Sequence, residues 1–169
     1  MNNKVTAIIF WTLVFLIQLA ISDYLNLGTW IYLCLIPLII VNIPFSRSPQ
    51  ATMLIAFGVG IALDILSDGI VGLNAASAVL AAALRKPAYR ALVNADRQDK
   101  TEVPTLSGSG ALKYIELLTA VTAVYLLTYV LLDCAGFRPF GFIALKFIIS
   151  LVINVAVALL ISASFLNRE

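Results

Sequence analysis

Residues 58–74 of the chain read Gly58-Val-Gly60-Ile-Ala-Leu-Asp64-Ile-Leu-Ser67-Asp68-Gly69-Ile-Val-Gly72-Leu-Asn74. The segment places two carboxylates, an asparagine and four glycines inside sequence that is otherwise apolar enough to span a bilayer. A carboxylate in hydrocarbon costs about 2.5–3.5 kcal/mol on insertion scales, so it is rarely found there without a partner or a task. We therefore expect a helical hairpin that is involved in the function of the chain.

The composition is that of an integral membrane protein with a single domain. Of 169 residues, 62% are hydrophobic and 12% are charged, whereas ordinary soluble domains are about 25% charged. The chain has no histidine, which excludes histidine-based catalysis and histidine metal sites. Cys34 and Cys134 are expected to pack as small apolar side chains. The net charge of +2 suits membrane topology better than nucleic-acid binding, and we expect no cofactor or metal.

The apolar segments predict an all-α membrane protein, a bundle of six transmembrane helices in one domain over residues 1–169. The spans are expected at about 5–22, 29–42, 51–67, 70–84, 112–132 and 140–165. The first is interpreted as a span and not as a cleavable signal, because its apolar run is too long. Pro37 is expected to kink the second helix. Residues 85–110 are expected to form a loop with a short interfacial helix at 88–94 and a flexible linker at 96–110.

The distribution of basic residues predicts the orientation. With the N-terminus inside and six spans, the inner side carries nine basic residues and the outer side carries Arg138, while Lys146 lies within the sixth helix. The inner nine are Lys4, Arg47, Arg85, Lys86, Arg90, Arg97, Lys100, Lys113 and Arg168. Both termini and the long loop are then cytoplasmic, and the turn at 67–69 faces outward. A five-span alternative would place Arg168 outside.

The polar residues of the hairpin are the first candidates for a site. Asp64 and Asp68 are four apart and would share one helix face, with Asn74 about one turn down the next helix. Such a cluster would accept a cation, a proton or a basic residue, and Lys146 would pair with Asp64, Asp68 or Asp133, or else extend to the headgroups. The alternative is capping, in which Ser67 or Asp68 caps the fourth helix and Asp68-Gly69 forms the turn.

Small residues recur at a spacing of four, which allows close helix packing. The pairs are Gly58/Ala62, Gly72/Ala76, Ser77/Ala81 and Ala78/Ala82. We expect them to form a tight pair of the third and fourth helices. Alternatively, the stripe Ala75, Ala78 and Ala82 is kept for a helix of another protein. Arg85, Lys86 and Arg90 are expected to contact anionic lipid, and Asn154 is expected to make an interhelical hydrogen bond.

Residues 41–87 resemble the rod shape-determining MreD family. The family pattern is Gly, three residues, Asp, two residues, Ser, and then Gly before a helix of small residues, and it is matched by Gly60, Asp64, Ser67 and Gly72. The resemblance implies a non-catalytic subunit of the cell-wall elongation machinery in the bacterial inner membrane. Its partners would be MreC and, indirectly, MreB, RodA and its transpeptidase partner. No small-molecule substrate is implied.

The family is also similar to the substrate-binding subunits of energy-coupling-factor transporters, which are six-helix bundles that bind a ligand near the outer side. Those subunits often dock through an Ala-x-x-x-Ala stripe in the first helix, and residues 5–22 contain no such stripe. The alternative function is therefore a small-molecule binding or transport subunit with an outer pocket lined by Asp64, Asp68 and Asn74. The leading interpretation is a scaffold in which Asp64 anchors a structural and partner-facing hairpin.

Overall fold

The computed structural model describes residues 3–24, 28–68, 70–92, 111–134 and 137–165. These residues form six α-helices and one π-helical turn, with no strand among them. The helices are α1 (Asn3–Tyr24), α2 (Ile36–Asn42), α3 (Pro49–Leu63), α4 (Leu73–Leu92), α5 (Ala111–Cys134) and α6 (Phe140–Phe165), and the π-turn (Asp64–Asp68) continues α3. Gly69, the side chain of Asp68 and the predicted linker at 96–110 lie outside the described residues.

Three of the helical stretches within the described residues are long and apolar enough to cross a membrane. They are Pro49–Ser67, Ala111–Cys134 and Phe140–Ser164. The apolar part of α1, Ile9–Tyr24, is shorter. The chain is thus an all-helical protein with the character of a membrane protein, as the composition predicted.

Helices α3, α4, α5 and α6 pack in chain order, each against the next. The short α2 lies among α3, α4 and α5, while α1 contacts α2 and the π-turn. Helix α5 supplies much of the core because its buried side chains recur at helical spacing along one face, at Tyr114, Leu117, Leu118, Val121 and Tyr125. We call the two ends of this bundle the Asp64 end, at the α3–α4 turn, and the Arg85 end, where α3 begins.

The second predicted helix is wrong over its first half. Residues 31–35 are not helical, and α2 begins only at Ile36. Pro37 therefore stands in the first turn of α2, where a proline is well accommodated and causes no kink. Hydropathy predicted the apolar run correctly, but the backbone of 31–35 finds its hydrogen-bond partners outside its own segment.

The fourth predicted helix ended too early. It was expected to stop at residue 84, before Pro87, yet α4 continues through Pro87 to Leu92 and includes most of the segment assigned to a separate interfacial helix. Beyond the proline, Tyr89 packs on Phe45 with ring centroids 4.5 Å apart. Tertiary contacts of this kind hold the last turns of α4 in place although one backbone hydrogen bond is lost.

Helices α3 and α4 pack closely, as predicted, but the glycine at the contact is Gly60 and not Gly58 of the predicted pairs. Ser48 caps α3 by accepting from the Ala51 N–H at 3.2 Å, and Pro49 follows at the first helical position. At the other end of α3, Gly60 faces α4 so closely that an added Cβ would lie 2.6 Å from the Ala75 Cα. Only a residue without a side chain permits this approach.

We predict that Gly60→Ala destabilises the protein by about 1–3 kcal/mol, because the new methyl group must push α4 away. Gly58→Ala is the matched control, since nothing lies within 4 Å of its added Cβ. The control should be neutral or up to about 1 kcal/mol more stable, through helix propensity. Thermal unfolding in detergent measures both, and equal melting temperatures for the two variants would contradict the close contact.

Candidate functional site

Asp64 caps α4 from across the hairpin. Its carboxylate accepts backbone N–H groups from Gly72 (2.9 Å), Asn74 (2.9 Å) and Ala75 (3.1 Å), and the residue is fully buried. Asn74 and Ala75 belong to the first turn of α4, whose N–H groups have no partner within the helix, and Gly72 directly precedes that turn. The helix dipole adds to the attraction, since its positive end faces the carboxylate. The partner of Asp64 is therefore a helix terminus and not a basic side chain.

The other residues of the Gly60–Gly72 pattern support this cap. Gly60 lets the start of α4 approach α3. One interpretation of the sequence had Ser67 as the cap of α4. Its hydroxyl instead donates to the Leu63 carbonyl at 2.9 Å, within its own turn. Gly72 has a φ of +103°, which side chains other than glycine rarely adopt. The four residues together build one hairpin.

Asn74 extends the polar contacts toward the middle of the bundle. Its Oδ1 accepts a hydrogen bond from the Tyr32 hydroxyl at 2.6 Å and another from the Tyr125 hydroxyl. Tyr125 in turn accepts from the Cys34 thiol at 3.2 Å. Asn74 is fully buried, so this residue is an interior junction and does not line an outer surface.

The non-helical residues 31–35 are held by side chains of α1 and α6. Asn154 accepts from the Cys34 N–H and donates to the Tyr32 carbonyl, both at 2.7 Å. Ser150 accepts from the Tyr32 N–H at 3.0 Å. Gln18 accepts from the Leu35 N–H at 2.7 Å and donates to the Leu33 carbonyl at 3.3 Å. Non-helical backbone in an apolar interior is tolerated where protein groups replace water in this way.

We call this set the polar layer, and it crosses the bundle from α1 to α6. Its members are Gln18, Tyr32, Cys34, Asp64, Asn74, Tyr125, Ser150 and Asn154. An aromatic stack closes one side, where the rings of Tyr32 and Tyr129 lie 3.6 Å apart at 12°. The polar layer is the candidate site because broken helices near buried polar groups are where membrane proteins place ligands and ions.

Lys146 lies outside the polar layer. Its ammonium contacts the Asp133 carboxylate at 2.6 Å, which was one of the three pairings considered. The Asp64 carboxylate is bound by the backbone at the start of α4 instead, and the side chain of Asp68 lies outside the described residues. The Lys146 side chain is 10% exposed and that of Asp133 is 30% exposed. The pair joins α5 to α6 near the Asp64 end and neutralises an ammonium that is costly to leave alone in a membrane.

The small-residue stripe of α4 lies inside the bundle. Ala75, Ala78 and Ala82 are buried within the bundle, so the alternative that reserved them for another protein does not hold. Gly58 instead faces outward from α3.

The three basic residues expected to contact lipid differ in their surroundings. Arg85 is fully buried, which differs from the expected lipid contact. Arg90 is exposed, and Lys86 donates to the Arg47 carbonyl at 2.7 Å.

The geometry of the polar layer is that of a structural support. The Asp64 oxygens are occupied by backbone donors, so this carboxylate is turned inward and not toward a partner. Among the described residues, no group of three acidic or cysteine side chains is placed to hold a metal. Comparisons of the chain with protein-family models, curated proteins and solved structures found no match.

Five members of the polar layer were missed from the sequence, namely Gln18, Tyr32, Cys34, Tyr125 and Ser150. Cys34 was expected only to pack as a small apolar side chain, but its thiol donates to the Tyr125 hydroxyl. A signal was present on α6, where Lys146, Ser150, Asn154 and Ser162 recur at multiples of four. Side chains four apart lie one above the other on neighbouring turns, and all four of these side chains are buried. Ser162 shares a hydrogen bond of 2.9 Å with the Tyr114 hydroxyl. No comparable pattern marks Gln18 or the tyrosines.

We predict that Asp64→Asn lowers stability by about 1–3 kcal/mol. An amide keeps the volume but has one oxygen and one donating nitrogen, so at least one N–H of α4 loses its acceptor. The control is Asp23→Asn, the same substitution at an exposed residue near the end of α1. Detergent melting should separate the two variants, and an unchanged Asp64→Asn protein would contradict the cap.

We also predict that Asn154→Ala is destabilising by about 2–5 kcal/mol, because it removes the acceptor of the Cys34 N–H and a donor to the Tyr32 carbonyl in the interior. Ser164→Ala, on the same helix, removes an exposed hydroxyl that bonds only its own helix and should change stability little. Amide hydrogen exchange of residues 31–35 gives a second measurement, since this segment should lose protection in Asn154→Ala alone.

Proposed function

We propose that the chain is a non-catalytic integral membrane scaffold of the bacterial cell-wall elongation machinery, and that it binds the transmembrane helix of MreC. Through MreC it would connect the MreB filament to RodA and the transpeptidase. The proposal includes a bundle of six spans in the inner membrane with both termini cytoplasmic, similar in architecture to energy-coupling-factor binding subunits. It draws on the resemblance of residues 41–87 and on the surface of α3.

The observation that carries the proposal is that α3 has one face toward the core and an opposite face that is exposed. Gly60 and Ala56 face the core, and Asp64 in the following turn caps α4. The opposite face exposes Leu54 (72%) and Phe57 (46%) beside Gly58. Leucine and phenylalanine suit lipid equally well, but a glycine among them lowers helix propensity, and nothing in the described part of the chain lies within 4 Å of the position its Cβ would take.

An exposed glycine on a membrane helix has a physical use, because it lets a second helix approach closely. Association within lipid depends on close packing, since apolar side chains gain little by leaving lipid for protein. The outer face of α3 therefore favours a helix of a partner. The interior favours a scaffold over an enzyme or carrier, since the described polar groups of the hairpin, those of Asp64, Ser67 and Asn74, form hydrogen bonds within the bundle.

The test is co-purification with MreC from the same bacterium, with a photo-crosslinker at Phe57 or, as control, at Val152, which is exposed on α6. We expect crosslinks to the MreC helix from Phe57 and none from Val152. Gly58→Leu should reduce the recovered MreC about tenfold without lowering the melting temperature, whereas Val152→Leu should not reduce it.

Two other results would contradict the proposed function or its surface. Loss of MreC binding in every preparation, together with a metabolite bound at one per chain by native mass spectrometry, would replace the scaffold with the small-molecule binding subunit. Crosslinks to MreC from Val152 and not from Phe57 would leave the scaffold function in place and move its surface to α6.

A further inference from the structure

A groove of about 510 Å³ opens on the bundle between α1, α2 and α3, toward the Arg85 end. Its walls are almost wholly apolar. Trp11 and Phe15 come from α1, Ile39 comes from α2, and Ile43 is the C-cap residue of α2. The α3 side is formed by Ile55 and Val59. At the Arg85 end, Arg47 lines the groove.

Positive charge dominates the described residues at this end of the molecule. Among the described side chains, it carries Arg47, Arg85, Lys86, Arg90 and Lys113 against a single acidic residue, Glu116. The other described carboxylates, of Asp23, Asp64 and Asp133, belong to the Asp64 end. A group that lies in the groove and reaches Arg47 therefore meets a positive potential.

Arg85 strengthens that potential from behind the groove wall. It is fully buried, and its Nη2 donates to the carbonyl of Ile43, a residue of the wall. Its Nε and Nη1 have no hydrogen-bond partner within the described part of the chain, and its guanidinium lies 4.0 Å from the centre of the Phe45 ring. A buried cation without a carboxylate is costly, and an anion nearby offsets that cost.

We propose that the groove binds one anionic phospholipid, with its phosphate at Arg47 and an acyl chain along Phe15, Ile55 and Val59. The apolar walls match the chain, and the basic end matches the headgroup. Lys86 holds the Arg47 carbonyl at 2.7 Å, so the segment that carries the headgroup contact is anchored to α4. This site is separate from the outer face of α3 and does not depend on the scaffold function.

The size of the groove favours an acyl chain over a helix. A helix about 10 Å wide occupies roughly 400 Å³ per 5.4 Å turn, so the groove has room for little more than one turn. A polar metabolite would need several convergent polar groups, whereas the groove presents Thr12, Asn42 and Arg47 among seven apolar side chains. A phospholipid fits the groove in both size and polarity, since its acyl chain is thin and apolar and its headgroup is charged.

The experiment is native mass spectrometry of the purified chain released from nanodiscs that contain equal amounts of phosphatidylglycerol and phosphatidylcholine. We expect one phosphatidylglycerol per chain in clear excess over phosphatidylcholine. Arg47→Gln should reduce its retention about fivefold. Arg90→Gln removes the same charge from an exposed position outside the groove and should leave retention unchanged.

A second variant tests the apolar part of the site. Val59→Trp narrows the groove and should remove the bound lipid whatever its headgroup, with the melting temperature checked separately. Equal retention of the two lipids, or equal losses in Arg47→Gln and Arg90→Gln, would overturn the proposal in favour of general surface attraction. A crosslink from Val59 to a partner helix would overturn it as well.

Discussion

The hydrogen bonds between the Asp64 carboxylate and the first turn of α4 are the constraint on which the hairpin depends. A helix that starts in an apolar interior has unpaired N–H groups and no water to receive them. A local serine or aspartate usually provides the cap, but here it comes from the preceding helix. The cap requires that α3 and α4 touch, which Gly60 permits, and that the chain turn sharply, which Gly72 permits.

From this cap the polar contacts continue through Asn74 to the non-helical residues 31–35 and on to α6. The arrangement resolves a conflict, because an unwound segment in an apolar bundle would leave several backbone groups unsatisfied. Gln18, Ser150 and Asn154 satisfy them from two other helices. The same bonds link α1 and α6 to the centre, so the segment that lacks its own helix joins the parts of the bundle that are far apart in the sequence.

The interior and the surface then have separate roles. Asp64 and Asn74, two of the polar residues that first suggested a site, form hydrogen bonds within the bundle, and Lys146 is paired with Asp133. The surface retains two features without a folding role in the described residues, the outward glycine of α3 and the groove beside Arg47. A scaffold that meets a partner helix on one face and a lipid on another is consistent with this division.

The sequence by itself determined the membrane character, the limits of α6, the α3–α4 hairpin and the importance of Asp64. All of these follow from hydropathy, glycine spacing and the cost of a carboxylate in lipid, which are properties of a local segment. Only the tertiary structure decided that residues 31–35 are unwound, that α4 passes Pro87 and that Asp64 faces a helix terminus. The physical reason is distance along the chain: the Tyr32 carbonyl meets Asn154 across 122 positions, and no local pattern encodes that hydrogen bond.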